Sequence, residues 1–505
     1  MAGLAATLGS GAMTNSVKEI EHNDVLFIIG SNATEAHPII GNKMKRAAQN
    51  GAKLIVVDPR RTELVDHAHL WLRLKPGTDN ALIDGIVNTI ITNGWHNEEY
   101  IAERCEGFDD LWETVKDFTA EEAAMITGVA ADDIRAAAEL YAQTERAGIY
   151  YTLGITEHTV GTANVMNLAN LAMITGHIGI EFAGINPLRG QNNVQGSCDV
   201  GALPNSYPGY PSVLDEATQA KFSAAYDAPM PAKMGLRIPE MFDAAVAGSL
   251  KAMYIMGEDP VLTDADANHV RKALDSLDFL VAQNLFMTET AKYADVFLPS
   301  TCYAEKDGTF TNSERRVQRV RKAVDPPGQA RADWEIILDL SARLGHPMPF
   351  TSPEEVFEEM RTLIPQYAGM TYKRLGTTGL QWPCPTEDHP GTQFLHKDKF
   401  TRGKGLLQGI PHVDPAEMTD EEYPILLTTG RMLYHYNTMT RHCDNLEWLR
   451  PHELAEINPD DAERLNVIEG DMVQVTSRRG SVSTRVAVTD RVPVGTMFMT
   501  LHYKE

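Results

Sequence analysis

Residues 24–58 read DVLFIIGSNATEAHPIIGNKMKRAAQNGAKLIVVD. An apolar run over 24–30 gives way to a polar loop, a helix follows over 38–50, and Gly51 stops it. A second apolar run, 53–58, ends on Asp58. Strand, loop, helix, strand predicts a parallel α/β sheet, because parallel neighbours need a crossover that a helix supplies. Working outward, LWLRL (70–74) reads as a third strand, and KPGTDNAL (75–82) as a turn into a helix capped near Thr78 or Asp79.

The same order recurs in AMYIMGEDPVLTDADANHVRKALDSLDFLVAQNLF (252–286), with ADVFLPS (294–300) as a further strand. IIGSNATEAHP pairs with IMGEDPVLTDA, and IVVDPRR with LVAQNLF. This predicts a pseudo-repeat of two open α/β domains, each with a crevice at the carboxyl ends of its strands, where such sheets bind nucleotides. From about 423 the chain turns to short alternating strands, as in EGDMVQVTSRRGSVSTRVAVTDRVPVGTMFMT, which predicts a C-terminal β-barrel. The stretch 325–415, rich in Pro, Gly and Thr, reads as connecting structure.

The 505 residues carry a formal charge of −24, which disfavours nucleic acid and anionic membrane surfaces as partners. No apolar stretch approaches a membrane span, and the N-terminus lacks the basic and apolar regions of a signal peptide. The five cysteines are scattered without a CxxC pair, so no disulfide scaffold, cluster or zinc site is expected within the chain. A cytoplasmic protein is expected. No GxSxG, HExxH or P-loop motif supports a hydrolase or P-loop reading.

The loop IIGSNATEAHP could cradle an anion on its backbone N–H groups or be an ordinary connection; Asp58 could hold a ribose or cap a turn. Asp259, Thr263 and Gln283 repeat the pattern. RGQNNVQGSCDVG (189–201) has no helical or strand period but one cation, several amides and a carboxylate, set among hydrophobic flanks. Buried amides need partners, so this segment is expected to line a polar pocket, with Arg189 suited to a small carboxylate and Cys198 a packed bystander. TTGRMLYHYNTMTRHC (428–443) offers phosphate or pterin contacts or a solvated loop, and its histidines lack metal-ligand spacing. GITEHT (154–159) is equally open.

From RGQNNVQGSCDVGALPNSYPGY, together with IGSNATEAHP, VVDPRRTE, KPGTDNAL, GEDP, ADVFLPS and TTGR…HYNTMT, the whole chain resembles the catalytic alpha subunits of molybdenum- or tungsten-dependent formate dehydrogenases, within the molybdopterin oxidoreductases. The resemblance implies two open α/β domains with a C-terminal β-barrel and a metal held by two molybdopterin guanine dinucleotides. One dinucleotide would contact Gly30, Asn32, Asp58, Arg60, Gly77 and Asp79. The other would contact Leu153, Glu157, Asp259, Thr263, Gln283, Ser300 and Asp333. Gln191, Arg431, Met432, His435 and Asn437 would reach pterins and phosphates, and Arg189 would hold formate. Formate and CO2 would be substrate and product, and iron–sulfur or flavin subunits the electron partners.

The implied domains are a molybdopterin-binding α/β domain over 1–191 and its repeat over 192–302. A connecting region with a remnant of the iron–sulfur domain would take 303–395, and the dinucleotide-binding barrel 396–505. In the family, an iron–sulfur domain and a metal-ligating Cys or selenocysteine followed by His precede an Ala-Gly-Leu segment. Here Met1 directly precedes Ala2-Gly3-Leu4, so that ligand and the [4Fe-4S] cluster are expected outside this chain, as are the last barrel strands. A UGA selenocysteine codon read as a stop would account for the start, and the chain alone is expected to be inactive. The alternatives are another small substrate, or a non-catalytic pterin-fold subunit of an electron-transfer complex.

Overall fold

In the computed structural model of the chain, the run VLFII becomes strand β1 (Val25–Ile29), buried along its whole length as a central parallel strand must be. Its neighbours are β2 (Lys53–Val57), β3 (Leu70–Leu72), β4 (Ala147–Tyr151) and β5 (Gly184–Pro187). All pair in parallel, in the order β3-β2-β1-β4-β5. The chain moves outward from β1 through β2 and β3, then returns to the other side of β1. The switch point therefore lies between the carboxyl ends of β1 and β4, the place where an open sheet admits a ligand.

Alternation along β1 directs Val25, Phe27 and Ile29 into one core and Leu26 and Ile28 into another. Helix α1 (Pro38–Gln49), which has proline in its first turn, buries Ile40 and Met44 against the second of these. Helices α2 (Asp79–Thr92) and α3 (Gly161–Ile174) build the first core. All of α2 but its last two residues is buried, so its polar side chains need internal partners. Asp84 finds one on α3, where Asn167 donates to it at 2.7 Å, and Asn88 donates to the Val115 carbonyl at 2.8 Å.

Burial pushes the Asp84 carboxyl from an ordinary 3.8 up to about 7, against the opposing bond from Asn167. The folded state thus holds a proton that the unfolded chain releases at lower pH. The stability tied to that proton is intact below about pH 4 and is lost as pH rises toward 7, by up to about 4 kcal/mol. Asp84→Asn should remove this slope. Urea unfolding midpoints at pH 5 and pH 8 would show the variant gaining on wild type at the higher pH, whereas parallel profiles would contradict the assignment.

The described residues are 1–503, and they form two units: 1–190 with 393–503, and 191–392. The second unit begins with helix α4 (Val194–Asp199), followed by α5 (Ile238–Val246), β6 (Ala252–Met256), α6 (Ala267–Asp275), β7 (Phe279–Asn284) and β8 (Val296–Pro299). The three strands are parallel in the order β6-β7-β8, with Phe242, Val270, Leu274 and Leu280 in the core that α5 and α6 make with them.

The expectation of connecting structure over 325–415 is corrected. Helices α7 (Asp333–Arg343) and α8 (Pro353–Leu363) lie within it. Ser352 caps α8 by accepting from the Glu355 N–H, and Pro353 occupies its first turn. These are helix-start signals, which the region's bulk Pro, Gly and Thr content hid.

The last segment, in the first unit, is a five-stranded mixed sheet: β9 (Leu426–Gly430), β10 (Leu454–Ile457), β11 (Met472–Ser477), β12 (Gly480–Val488) and β13 (Thr496–Thr500), in the order β9-β13-β10-β12-β11. Among the described residues no helix is long and apolar enough to cross a membrane.

Candidate functional site

At the switch point of the first sheet, the loops after β1 and β4 meet backbone to backbone. Gly30 has φ 54, and a Cβ on Gly154 would fall 2.6 Å from the Gly30 Cα. The Gly30 carbonyl accepts from Gly154 N–H at 3.1 Å and from the Thr152 hydroxyl at 2.7 Å. Asn32 follows, accepting the Thr34 hydroxyl at 3.0 Å. Leu153 opens the one-turn helix after β4 (Leu153–Thr156) and Glu157 follows it, both exposed, whereas the other five residues of the set assigned with them lie in the second unit.

Two carboxyls face this crevice. Burial lifts Asp58, at the end of β2, to about 7, opposed by the Arg60 backbone bond and charge and reinforced by Asp79. Burial likewise lifts Asp79, the first residue of α2, to about 6, with His158 opposing. His158 lies 3.9 Å from the Asp79 carboxylate and hydrogen-bonds the Gly154 carbonyl at 2.9 Å. Gly77, with φ 84, turns the chain against Pro415. Arg60 does not project freely toward an anion. It forms a bidentate pair with Glu456 of β10 at 2.9 and 2.7 Å, and its guanidinium lies 3.8 Å from the centre of the Phe498 ring.

The second unit repeats the plan with different partners. Gly257 follows β6 with φ 70, and a Cβ there would meet no atom within 4 Å. Asp259 is turned inward, accepting from Thr290 N–H at 2.9 Å and from its hydroxyl at 2.6 Å. Thr263 donates to the Asp259 carbonyl at 3.2 Å. Gln283, wholly buried at the end of β7, accepts from the Tyr254 hydroxyl and donates to Asp333 at 2.7 Å. Asp333 also pairs with Lys306, and Ser300, just after β8, bridges to Arg331. Sequence reasoning missed Lys306 and Tyr254, whose neighbours carry no motif. It noticed His158 without placing it.

The loop after β9 gathers Arg431, Met432, His435 and Asn437. Arg431 donates to Asn437 at 3.0 Å and covers the Tyr436 ring at 4.0 Å. Met432 bridges to His435, which stacks on His502 at 3.7 Å. With Glu447 these histidines bring three ligating atoms within 4.8 Å of one another, a grouping that local spacing could not reveal. Each ring already meets protein acceptors: His435 the Arg450 carbonyl, and His502 the Asn437 carbonyl and Glu447.

The segment 189–201 divides. Arg189 is half-buried, and its guanidinium donates to the Gly11 carbonyl at 3.1 Å. Gln191 and Asn192 are exposed, whereas Gln195, Cys198 and Asp199 are buried on α4. Asp199 is a hub: its carboxylate accepts from Tyr210, from Tyr367 at 2.5 Å, from Gln195 at 2.7 Å and from the Trp382 indole at 2.8 Å. Asn193 joins the same network, accepting from Thr311 N–H at 2.8 Å, with the Thr311 hydroxyl 3.0 Å from that of Tyr367. Asp199→Asn leaves too few acceptors for four donors and should cost about 3 kcal/mol. A thermal unfolding midpoint equal to wild type would contradict the hub.

Each crevice also holds a buried hydroxyl without a partner among the described residues, Ser31 after β1 and Thr301 after β8. A ligand is one partner such hydroxyls can take. In the first unit, glycine backbones in close approach and carboxyls able to accept base or ribose donors fit a nucleotide-bearing group, whereas the second unit offers an open glycine turn at Gly257.

Residues 4–343 match the family described as molybdopterin oxidoreductase, and residues 425–505 that described as molydopterin dinucleotide binding domain. The chain is 50% identical to F420-dependent formate dehydrogenase 2 subunit alpha of Methanococcus maripaludis, over all of this chain and 75% of that one. It is 49% identical to F420-dependent formate dehydrogenase subunit alpha of Methanocaldococcus jannaschii, with the same coverage. It is 41% identical to formate dehydrogenase H of Escherichia coli, over all of this chain and 72% of that protein. Acetylene hydratase from Pelobacter acetylenicus shares the fold, with a TM-score of 0.78 at 22% identity over 99% of this chain and 73% of that one.

Proposed function

Because the chain belongs to the molybdopterin oxidoreductase family, we propose that it is the catalytic alpha subunit of a formate dehydrogenase, interconverting formate and CO2 with two electrons and a proton. The observation that carries this reading is its identity over its full length to formate dehydrogenase alpha subunits, beside an arginine and amide segment suited to a small carboxylate.

One guanine dinucleotide would be held by Gly30, Asn32, Asp58 and Asp79, and the other by Asp259, Thr263, Gln283, Ser300 and Asp333. Arg431, His435 and Asn437 would serve the phosphates and pterins. The molybdenum or tungsten so bound supplies the two-electron acceptor. Arg189 binds and orients formate, its planar fork matching the two carboxylate oxygens and fixing where the C–H bond points. Five free cysteines suit a reducing cytoplasm, and iron–sulfur or flavin subunits are the electron partners we favour.

The test pairs the loaded enzyme with formate and an oxidised dye, reading dye reduction, and with nitrate or a sulfoxide and a reduced dye, reading dye oxidation. Formate-dependent reduction supports the reading. Turnover of nitrate or sulfoxide without formate oxidation would overturn it.

A further inference from the structure

Arg189 is the residue on which the proposed chemistry leans most, yet it sits where β5 has ended and α4 has not begun. A backbone in such a place is fixed only by bonds from elsewhere, because neither sheet nor helix pairs its carbonyls. Two side chains supply them, both from the first unit. The His37 imidazole Nε2 lies 2.7 Å from the Arg189 carbonyl, and the Tyr436 hydroxyl donates to the Gly190 carbonyl at 2.5 Å.

We infer that His37 and Tyr436 are positioning residues that clamp the Arg189–Gly190 backbone and so set the reach of the Arg189 guanidinium. The inference rests on reading Arg189 as the formate anchor. His37 follows the loop after β1, and Tyr436 follows β9, so the clamp draws on two sheets.

The donors are defined by elimination. A carbonyl only accepts, so His37 carries its proton on Nε2 and its Nδ1 is bare. That Nδ1 is buried without a partner among the described residues, so protonating it would place a second donor where nothing accepts. Burial, with the charge of Arg431, holds the imidazole below its ordinary range in spite of the Arg189 carbonyl. His37 therefore stays neutral near pH 7 and adds no second cation beside Arg189.

Tyr436 is held in turn. The Arg431 guanidinium lies over its ring at 4.0 Å and donates to the Ala36 carbonyl at 3.3 Å, one residue from His37. The two jaws are thus tied to each other through Arg431. At its far end Arg189 is anchored by the Gly11 carbonyl at 3.1 Å. Backbone and head group are fixed separately, as a short, directional substrate contact requires.

The experiment uses the loaded enzyme. Tyr436→Phe deletes one hydroxyl and nothing else, and should raise KM for formate about tenfold, the effect of about one well-placed hydrogen bond, with kcat within about twofold of wild type. His37→Leu should do the same. His37→Gln, whose amide nitrogen reaches as far as Nε2, should restore KM to near the wild-type value. Hydrogen–deuterium exchange over residues 186–193 should quicken in Tyr436→Phe and His37→Leu and recover in His37→Gln.

An unchanged KM in both Tyr436→Phe and His37→Leu would overturn the clamp, provided Arg189→Leu abolishes turnover. Equal losses of kcat and metal content with a normal KM would also overturn it, because they would mark a purely structural role. If Arg189→Leu left formate oxidation intact, the underlying reading would fall instead, which separates the two failures.

Discussion

Replacing Arg189 with leucine lowers kcat/KM for formate by about a thousandfold in the loaded enzyme, with metal and pterin content unchanged. The size follows from what is removed. A charge-assisted, two-pronged contact to a carboxylate in a partly desolvated site contributes several kcal/mol, and about 4 kcal/mol corresponds to three decades. Arg189→Lys should fall between, because it keeps the charge and loses the fork. Steady-state kinetics with formate, beside metal analysis of the same samples, checks this. A leucine variant with normal kcat/KM would remove Arg189 from the reaction. One that lost its metal would show that the side chain holds the fold of the site, not the substrate.

The second large effect concerns Gly154. Gly154→Val would place its Cβ 2.6 Å from the Gly30 Cα and 2.7 Å from the Gly30 carbonyl oxygen. Both are main-chain atoms on a loop already tied by Gly154 N–H and the Thr152 hydroxyl, so neither can yield cheaply. The loops after β1 and β4 must part, at a cost of roughly 3 kcal/mol or more, and the first crevice loses its shape. We expect a lower unfolding temperature together with the loss of one dinucleotide of two. Gly257→Ala in the second unit is the informative contrast. Its surroundings are open, so it carries only the strain of a positive φ, and the fall should be smaller. Equal effects at the two positions would mean that close approach at Gly30 is not what matters.

The first α/β unit was legible because its signals are local. The VLFII and KLIVV runs and the proline at the start of α1 each act within a few residues, and β1, β2 and α1 form where those signals lie, whereas Thr78 precedes α2 without capping it, its hydroxyl donating back to the Lys75 carbonyl. The partners of the expected site residues were not legible. Glu456 answers Arg60 from 396 residues away, and Tyr367 and Trp382 reach Asp199 across 168 and 183 residues. No periodicity encodes such pairings. The amides of segment 189–201 show both sides of this. Their polarity marked the segment, but which were exposed and which buried depended on aromatic residues far along the chain. Likewise His502 joins His435 only because β13 runs beside β9, a neighbour relation fixed by the sheet order.

Each unit is proposed to carry one nucleotide crevice, built at the carboxyl ends of its parallel strands. This is tested most directly by counting the nucleotide released when the purified, loaded enzyme is hydrolysed with acid. Two guanosine monophosphates per molybdenum or tungsten are predicted. One per metal, or another nucleotide in place of guanosine, would contradict the account.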